Sequence, residues 1–155
     1  MKVTIYTIGK VKERYFLEAE HHYEKQLKNA LTIQCVELPD THIGDRDPQR
    51  VKDEEAQTLL KRVSDKDFLI VLDERGEMFS SAKFAQFLDQ KQKEGRTSLI
   101  FAIGGALGFA EAVRKRANLV LALSPLTFPH QMVRLFLMEQ LYRSQAILRG
   151  APYHR

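Results

Sequence analysis

The sequence has no tryptophan, one cysteine and no long hydrophobic run, and each shortage narrows what the chain can be. Cys35 cannot close an internal disulfide, and the opening MKVTIYTIGK is too short in apolar residues for a secretory leader, so a cytoplasmic protein is expected. Charges interrupt every stretch that could reach the roughly 20 apolar residues needed to cross a bilayer, which excludes a membrane role. There is no G-x-x-x-x-G-K-[ST] cradle for a triphosphate, no H-E-x-x-H and no paired C-x-x-C. His21 and His22 are neighbours that diverge by about 100° on a helix and are expected in solvent. No metal site is expected.

What is present suits one domain spanning residues 1–155, since 44% apolar content is enough for a core. The formal charge of +4 favours polyanionic partners without demanding them. Apolar or alternating runs at 3–8, 31–38, 67–73, 98–103 and 118–123 read as strands, with helical patterns between them. This is an α/β rhythm. FLIVLD, SLIFAI and LVLAL are nearly unbroken in apolar residues, as strands covered on both faces are, and are expected to form the parallel centre of a sheet.

Helices are expected over 13–29, over 48–63 with Asp47 as cap and Pro48 in the first turn, and after Ser80 and Ser81 with Phe84, Phe87 and Leu88 on one face. Between Pro39 and Pro48 lies a polar loop expected to be mobile. The last helix begins near Pro129 and is apolar over most of its circumference from Met132 to Tyr142. Such a helix needs cover on more than one side, from a second subunit or from a central place in the monomer; a homodimer is the expectation.

Two stretches point to a ligand. FAIGGALGF sets Gly104, Gly105 and Gly108 after the fourth strand, either as a structural turn or as a main chain cleared for a ligand. Its spacing is not G-x-G-x-x-G, and the next strand ends at Ser124 where a ribose-binding acid would stand, so a dinucleotide-binding oxidoreductase fits poorly. LALSPLTFPHQ then follows the fifth strand without a charged residue. A rigid uncharged loop beside a glycine turn, both at strand ends, suits a neutral heterocycle such as adenine.

With these residues in view, VLDERGE at 71–77, FAIGGALG at 101–108, LALSPLTFPHQMVRLFLMEQLYR at 121–143 and PYHR at 152–155 closely resemble the small bacterial SPOUT methyltransferases of the RlmH type. The likeness covers the whole chain, with Ala106 where many relatives have Ser or Pro. It implies an α/β knot fold with a C-terminal deep trefoil knot, a homodimer, and methylation of N3 of a pseudouridine in 23S rRNA on assembled ribosomes. It also implies S-adenosylmethionine bound against Leu72, the turn Ile103, Gly104, Gly105 and Gly108, and the loop Leu123, Ser124, Pro125, Leu126, Thr127 and Phe128. A catalytically silent RNA-binding protein of the same fold is the alternative.

An imide nitrogen such as N3 is mostly protonated at neutral pH, so a base or a stabiliser of the anion is needed. Within the resemblance, the candidates are His154 as a group titrating near neutrality, Tyr153 to stack on or hydrogen-bond the base, and Arg155 to hold phosphate. The tail of one subunit is expected to complete the site of the other. His130 adjoins the cofactor loop and either lines the site for RNA or serves the helix terminus. Arg134 and Arg143 face RNA or form intersubunit ion pairs. Asp73 and Glu74 reach the cofactor or sit partly solvated at a turn.

Overall fold

The computed structural model describes residues 1–154, the side chain of His154 excepted. Five strands, β1 (Lys2–Ile8), β2 (Thr32–Leu38), β3 (Leu69–Met78), β4 (Ser98–Ile103) and β5 (Leu119–Ala122), alternate with five helices. These are α1 (Arg14–Leu27), α2 (Pro48–Leu60), α3 (Ser81–Lys93), α4 (Glu111–Arg116) and α5 (His130–Leu148), followed by a 3₁₀ turn over Pro152–His154. The caps follow the sequence signals: Asp47 accepts the Gln49 N–H at 3.2 Å, and Ser80 Oγ accepts the Lys83 N–H at 3.1 Å.

All strand pairs are parallel, in the order β2-β1-β4-β3-β5. The centre is therefore β1, β4 and β3, and the expected central place of the fifth strand is corrected, since β5 lies on the edge. Thr4 and Thr7 interrupt the apolar run of β1 and disguise it, although both are buried inside the sheet. Each crossover that moves toward β2 carries its helix (α1, α3) on one face, and each that moves toward β5 carries its helix (α2, α4) on the other. All four thus share one hand, as parallel crossovers do.

Alternation assigns each strand residue to a layer. Ile70, Leu72, Leu99, Phe101 and Ile103 pack with α1, α3 and α5. Leu69, Val71, Ile100 and Ala102 pack with Ala56 and Leu59 of α2 and Val113 of α4. That double cover explains the unbroken apolar runs.

β3 continues past Asp73, where its apolar run ends. It pairs Leu72 with Leu121, breaks register, and then pairs Glu77 with Leu121 and Met78 with Ala122. The return requires Gly76: a Cβ there would lie 2.6 Å from the Val120 carbonyl carbon and oxygen, closer than atoms can approach. Nothing apolar in ERGEM announces this extension.

α5 lies on the same face as α1 and α3 and contacts both, burying Leu137, Met138 and Leu141. Part of its wide apolar arc is thereby covered inside the monomer, while Phe136 stays exposed. Arg134 is corrected outright, because its side chain is only 3% exposed and faces neither RNA nor a partner. Its Nε and Nη2 donate to the two oxygens of Glu20 at 2.7 and 2.6 Å, and Nη1 donates to Glu37 at 3.2 Å. This ties α5 to α1 and β2 in one buried, bidentate network. Arg134→Ala leaves Glu20 buried and uncompensated, and is expected to lower stability by about 3–5 kcal/mol, read as a fall in the urea midpoint.

Candidate cofactor site

The carboxyl ends of β3, β4 and β5 open into a cavity of about 460 Å³. Parallel sheets gather loops at this edge, so residues far apart in sequence meet there. Of the eleven cofactor-site candidates, ten border the cavity: Leu72, Ile103, Gly104, Gly105, Gly108, Leu123, Ser124, Leu126, Thr127 and Phe128. Pro125 does not. Ser124 Oγ accepts the Leu126 N–H at 3.0 Å, and the turn this closes leaves Pro125 exposed.

The three glycines answer to different constraints. Gly108 has φ +71°, a left-handed conformation that closes the turn with its N–H on the Gly105 carbonyl at 3.0 Å. A Cβ on Gly104 would press on the Phe109 ring at 3.3 Å, and one on Gly105 would meet Ile8 at 3.0 Å and Glu55 Oε2 at 3.2 Å. The turn does present backbone to the cavity, yet much of the cleared space is filled by the protein's own side chains.

Asp73 is neither solvated nor free for a ligand. Its carboxylate is 2% exposed and takes Nε and Nη2 of Arg75, each at 3.0 Å, the Arg75 N–H at 3.0 Å and Arg114 Nη1 at 3.3 Å. Burial alone would raise its pKa, but the Arg75 hydrogen bonds and the two guanidinium charges hold it below the ordinary range. Arg114 Nη1 also donates to the Phe109 carbonyl at 2.7 Å, so one arginine clamps the end of β3 to the glycine turn. Sequence reasoning missed Arg114 and Phe109; the only trace was the basic run of the short α4. Glu74 is exposed on the cavity rim.

His130 lines the cavity and also caps a contact, with Nε2 3.2 Å from the Lys10 carbonyl oxygen. The structure thus places it on the cavity lining and against the loop after β1. Arg143 and Tyr153 are not brought to the cavity of their own protomer; Arg143 is thirteen residues beyond His130, about 20 Å along the helix. Arg143 donates to Glu139 at 2.9 and 2.6 Å, and its guanidinium sits 4.9 Å from the centre of the Tyr153 ring. Tyr153 packs edge-on to Tyr142 and donates to Glu139 at 3.3 Å, with its phenol pushed up to about 12, chiefly by burial. The His154 side chain and Arg155 lie outside the described residues. His21 and His22 are exposed, as expected. Among the described residues no group of three or more His, Cys, Asp or Glu is placed to hold a metal, and no helix is long and apolar enough to cross a membrane.

Residues 1–154 match a family described as "Predicted SPOUT methyltransferase". The chain belongs to the SPOUT methyltransferase family. It is 38% identical over the full length of both chains to the ribosomal RNA large subunit methyltransferase H of Clostridium acetobutylicum. It is 43% identical, over 99% of each chain, to the protein of the same name from Cytophaga hutchinsonii. Within this SPOUT methyltransferase the Asp73 hub is what joins the β3 end to the glycine turn. Asp73→Asn is expected to cost about 1.5–3 kcal/mol at neutral pH. Because the native pKa is lowered, the contribution is complete above about pH 4 and declines as pH falls through the native value. Denaturant titrations should therefore show the gap between wild type and variant closing in acid.

Proposed function

We propose that this enzyme transfers the methyl group of S-adenosylmethionine to N3 of a pseudouridine in 23S ribosomal RNA, working in the cytoplasm as a homodimer on an assembled large subunit or ribosome. The observation that carries the reading is the strand-edge cavity that the glycine turn and the uncharged loop after β5 enclose together. The G-G-x-x-G spacing of that turn and Ser124 at the end of β5 deny a dinucleotide its fingerprint, so a nucleoside without pyrophosphate is the better fit. The names of the full-length relatives supply the class of acceptor.

The residues present fit such a donor. The cavity volume falls in the range of about 300–1,000 Å³ usual for small-molecule sites. Leu72, Ile103, Leu123 and Phe128 offer apolar walls to a purine, and the 104–108 backbone offers amide and carbonyl groups along its edge. Glu74 stands at the rim for an amine. When bound, the donor supplies a methyl already activated on sulfonium sulfur, so the chain's main task is alignment.

The dimer is supported by an apolar groove between α3 and α5, where Phe79, Phe84, Phe128 and Phe136 line about 290 Å³, and by Leu126, which is 69% exposed. It is supported also by Tyr153, which packs on Tyr142 and Glu139 at the far end of α5 from the cavity of its own protomer. Tyr153, His154 and Arg155 are assigned to completing the site of the second copy, with Arg143 and His130 facing RNA. The trefoil knot is proposed alongside: β5 lies outside β3, yet α5 returns over β1 and β4, so the β5–α5 connection has to pass the β3–α3 connection at one edge. A charge of only +4 favours a preassembled rRNA surface over free RNA.

Calorimetry is expected to show binding of S-adenosylmethionine and none of a nicotinamide dinucleotide; the reverse result overturns the assignment. Ribosomes from a strain lacking the modification should accept methyl groups, and donor binding without transfer would identify a silent RNA-binding protein instead. Removal of residues 153–155 should leave donor affinity within about twofold while turnover falls at least about 100-fold. Full turnover in the truncated protein would make the tail dispensable.

A further inference from the structure

On the other side of the glycine turn lies a second cavity, of about 280 Å³, that the donor does not require. It opens between the carboxyl ends of β1 and β4, where the crossovers from adjacent strands leave over opposite faces. This is a switch point, the place where open α/β sheets put ligands. Gly105, Ala106 and His130 line both cavities, so the two adjoin along these residues.

At the base of this second cavity is Glu55 of α2. It is only 7% exposed, and among the described residues no lysine, arginine or histidine forms an ion pair with it. One oxygen, Oε1, accepts the Thr41 N–H at 3.0 Å. The other, Oε2, has no protein donor among the described residues, is not sealed from solvent, and stands 3.2 Å from where a Gly105 Cβ would be. An open oxygen on an otherwise buried carboxylate that lines a cavity can accept a donor that enters it.

We propose that this cavity takes the acceptor nucleobase and that Glu55 Oε2 accepts its ring N–H, a reading that rests on the methyl-transfer function above. A single flat pyrimidine suits the volume, and a carboxylate selects a ring nitrogen that carries hydrogen over one that does not. The proton moves first to Oε2 and leaves the N–H electron pair on nitrogen; that pair, turned from Oε2 toward the methyl carbon, then forms the new N–C bond while the C–S pair stays on sulfur and leaves a neutral thioether. The carboxylic acid then returns its proton to solvent. Glu55 is suited to this exchange because burial, with a smaller push from Asp40, raises its pKa, while the Thr41 N–H pulls against it. The titratable groups facing the same cavity are Asp40 and His42 from the loop before α2 and His130 from α5.

The test has two readouts. With carbon-13 in the glutamate carboxyls, millimolar uridine, whose ring N–H is N3 alone, is expected to shift the Glu55 resonance of the wild-type protein, and N3-methyluridine is not. No shift with uridine, or equal shifts with both, overturns the proposal, whether or not ribosomes are methylated. In single-turnover transfer to unmodified ribosomes, Glu55→Gln should keep donor affinity within about threefold, lose at least about 100-fold in rate and lose the acidic limb of the pH profile. An unchanged rate and profile, or a tenfold loss of donor affinity in their place, overturns it. Absence of transfer by the wild type refutes the function proposed above and leaves the uridine result to decide the cavity.

Discussion

The Asp73 carboxylate and the two guanidinium groups that hold it bring together segments that have no other reason to stay in register. Asp73 ends the apolar part of β3, Arg75 follows on the loop that breaks the β3–β5 ladder, and Arg114 reaches in from α4 to hold the Phe109 carbonyl as well. A parallel sheet gathers strand ends but does not fix the loops beyond them. Here charge-assisted hydrogen bonds to a buried carboxylate do so. They fasten one side of the strand-edge cavity.

A single protomer separates its functional parts along α5. His130, at the start of the helix, borders both cavities, whereas Arg143 and Tyr153, at its other end, are tied to Glu139. The helix is therefore a spacer as much as a core element. Its buried middle is anchored to α1 and β2 through Arg134, Glu20 and Glu37, so its two ends cannot shift independently. In the homodimer proposed above, this spacer is what would carry the tail of one copy toward the cavity of the other.

The glycine turn divides two environments. Toward β5 it offers backbone to a cavity whose acids, among the described residues, are the arginine-paired Asp73 and Glu74 at the rim. Toward β1 it borders the cavity that Glu55 lines. The donor and acceptor roles proposed above fall on these two sides.

Much of this was legible in the order of residues. Strand runs such as FLIVLD and SLIFAI, the Asp47 and Ser80 caps, and the pairing of IGGALG with LSPLTF all follow from short-range rules, because burial on two faces, capping and turn closure leave marks within a few residues. The resemblance then gathered those segments into one site, and ten of its eleven cofactor candidates border the cavity. What the order of residues concealed depends on partners distant in the chain. Arg134 reads as a surface arginine until Glu20 and Glu37 arrive beside it, β1 reads as a half-polar strand until two neighbours flank it, and β3 stops at Asp73 until Gly76 lets it lie against β5. Glu55 looks like any acid on a solvated helix. Only the folded sheet sets it beside the Gly105 turn, leaves it 7% exposed and has one of its oxygens accept the Thr41 N–H.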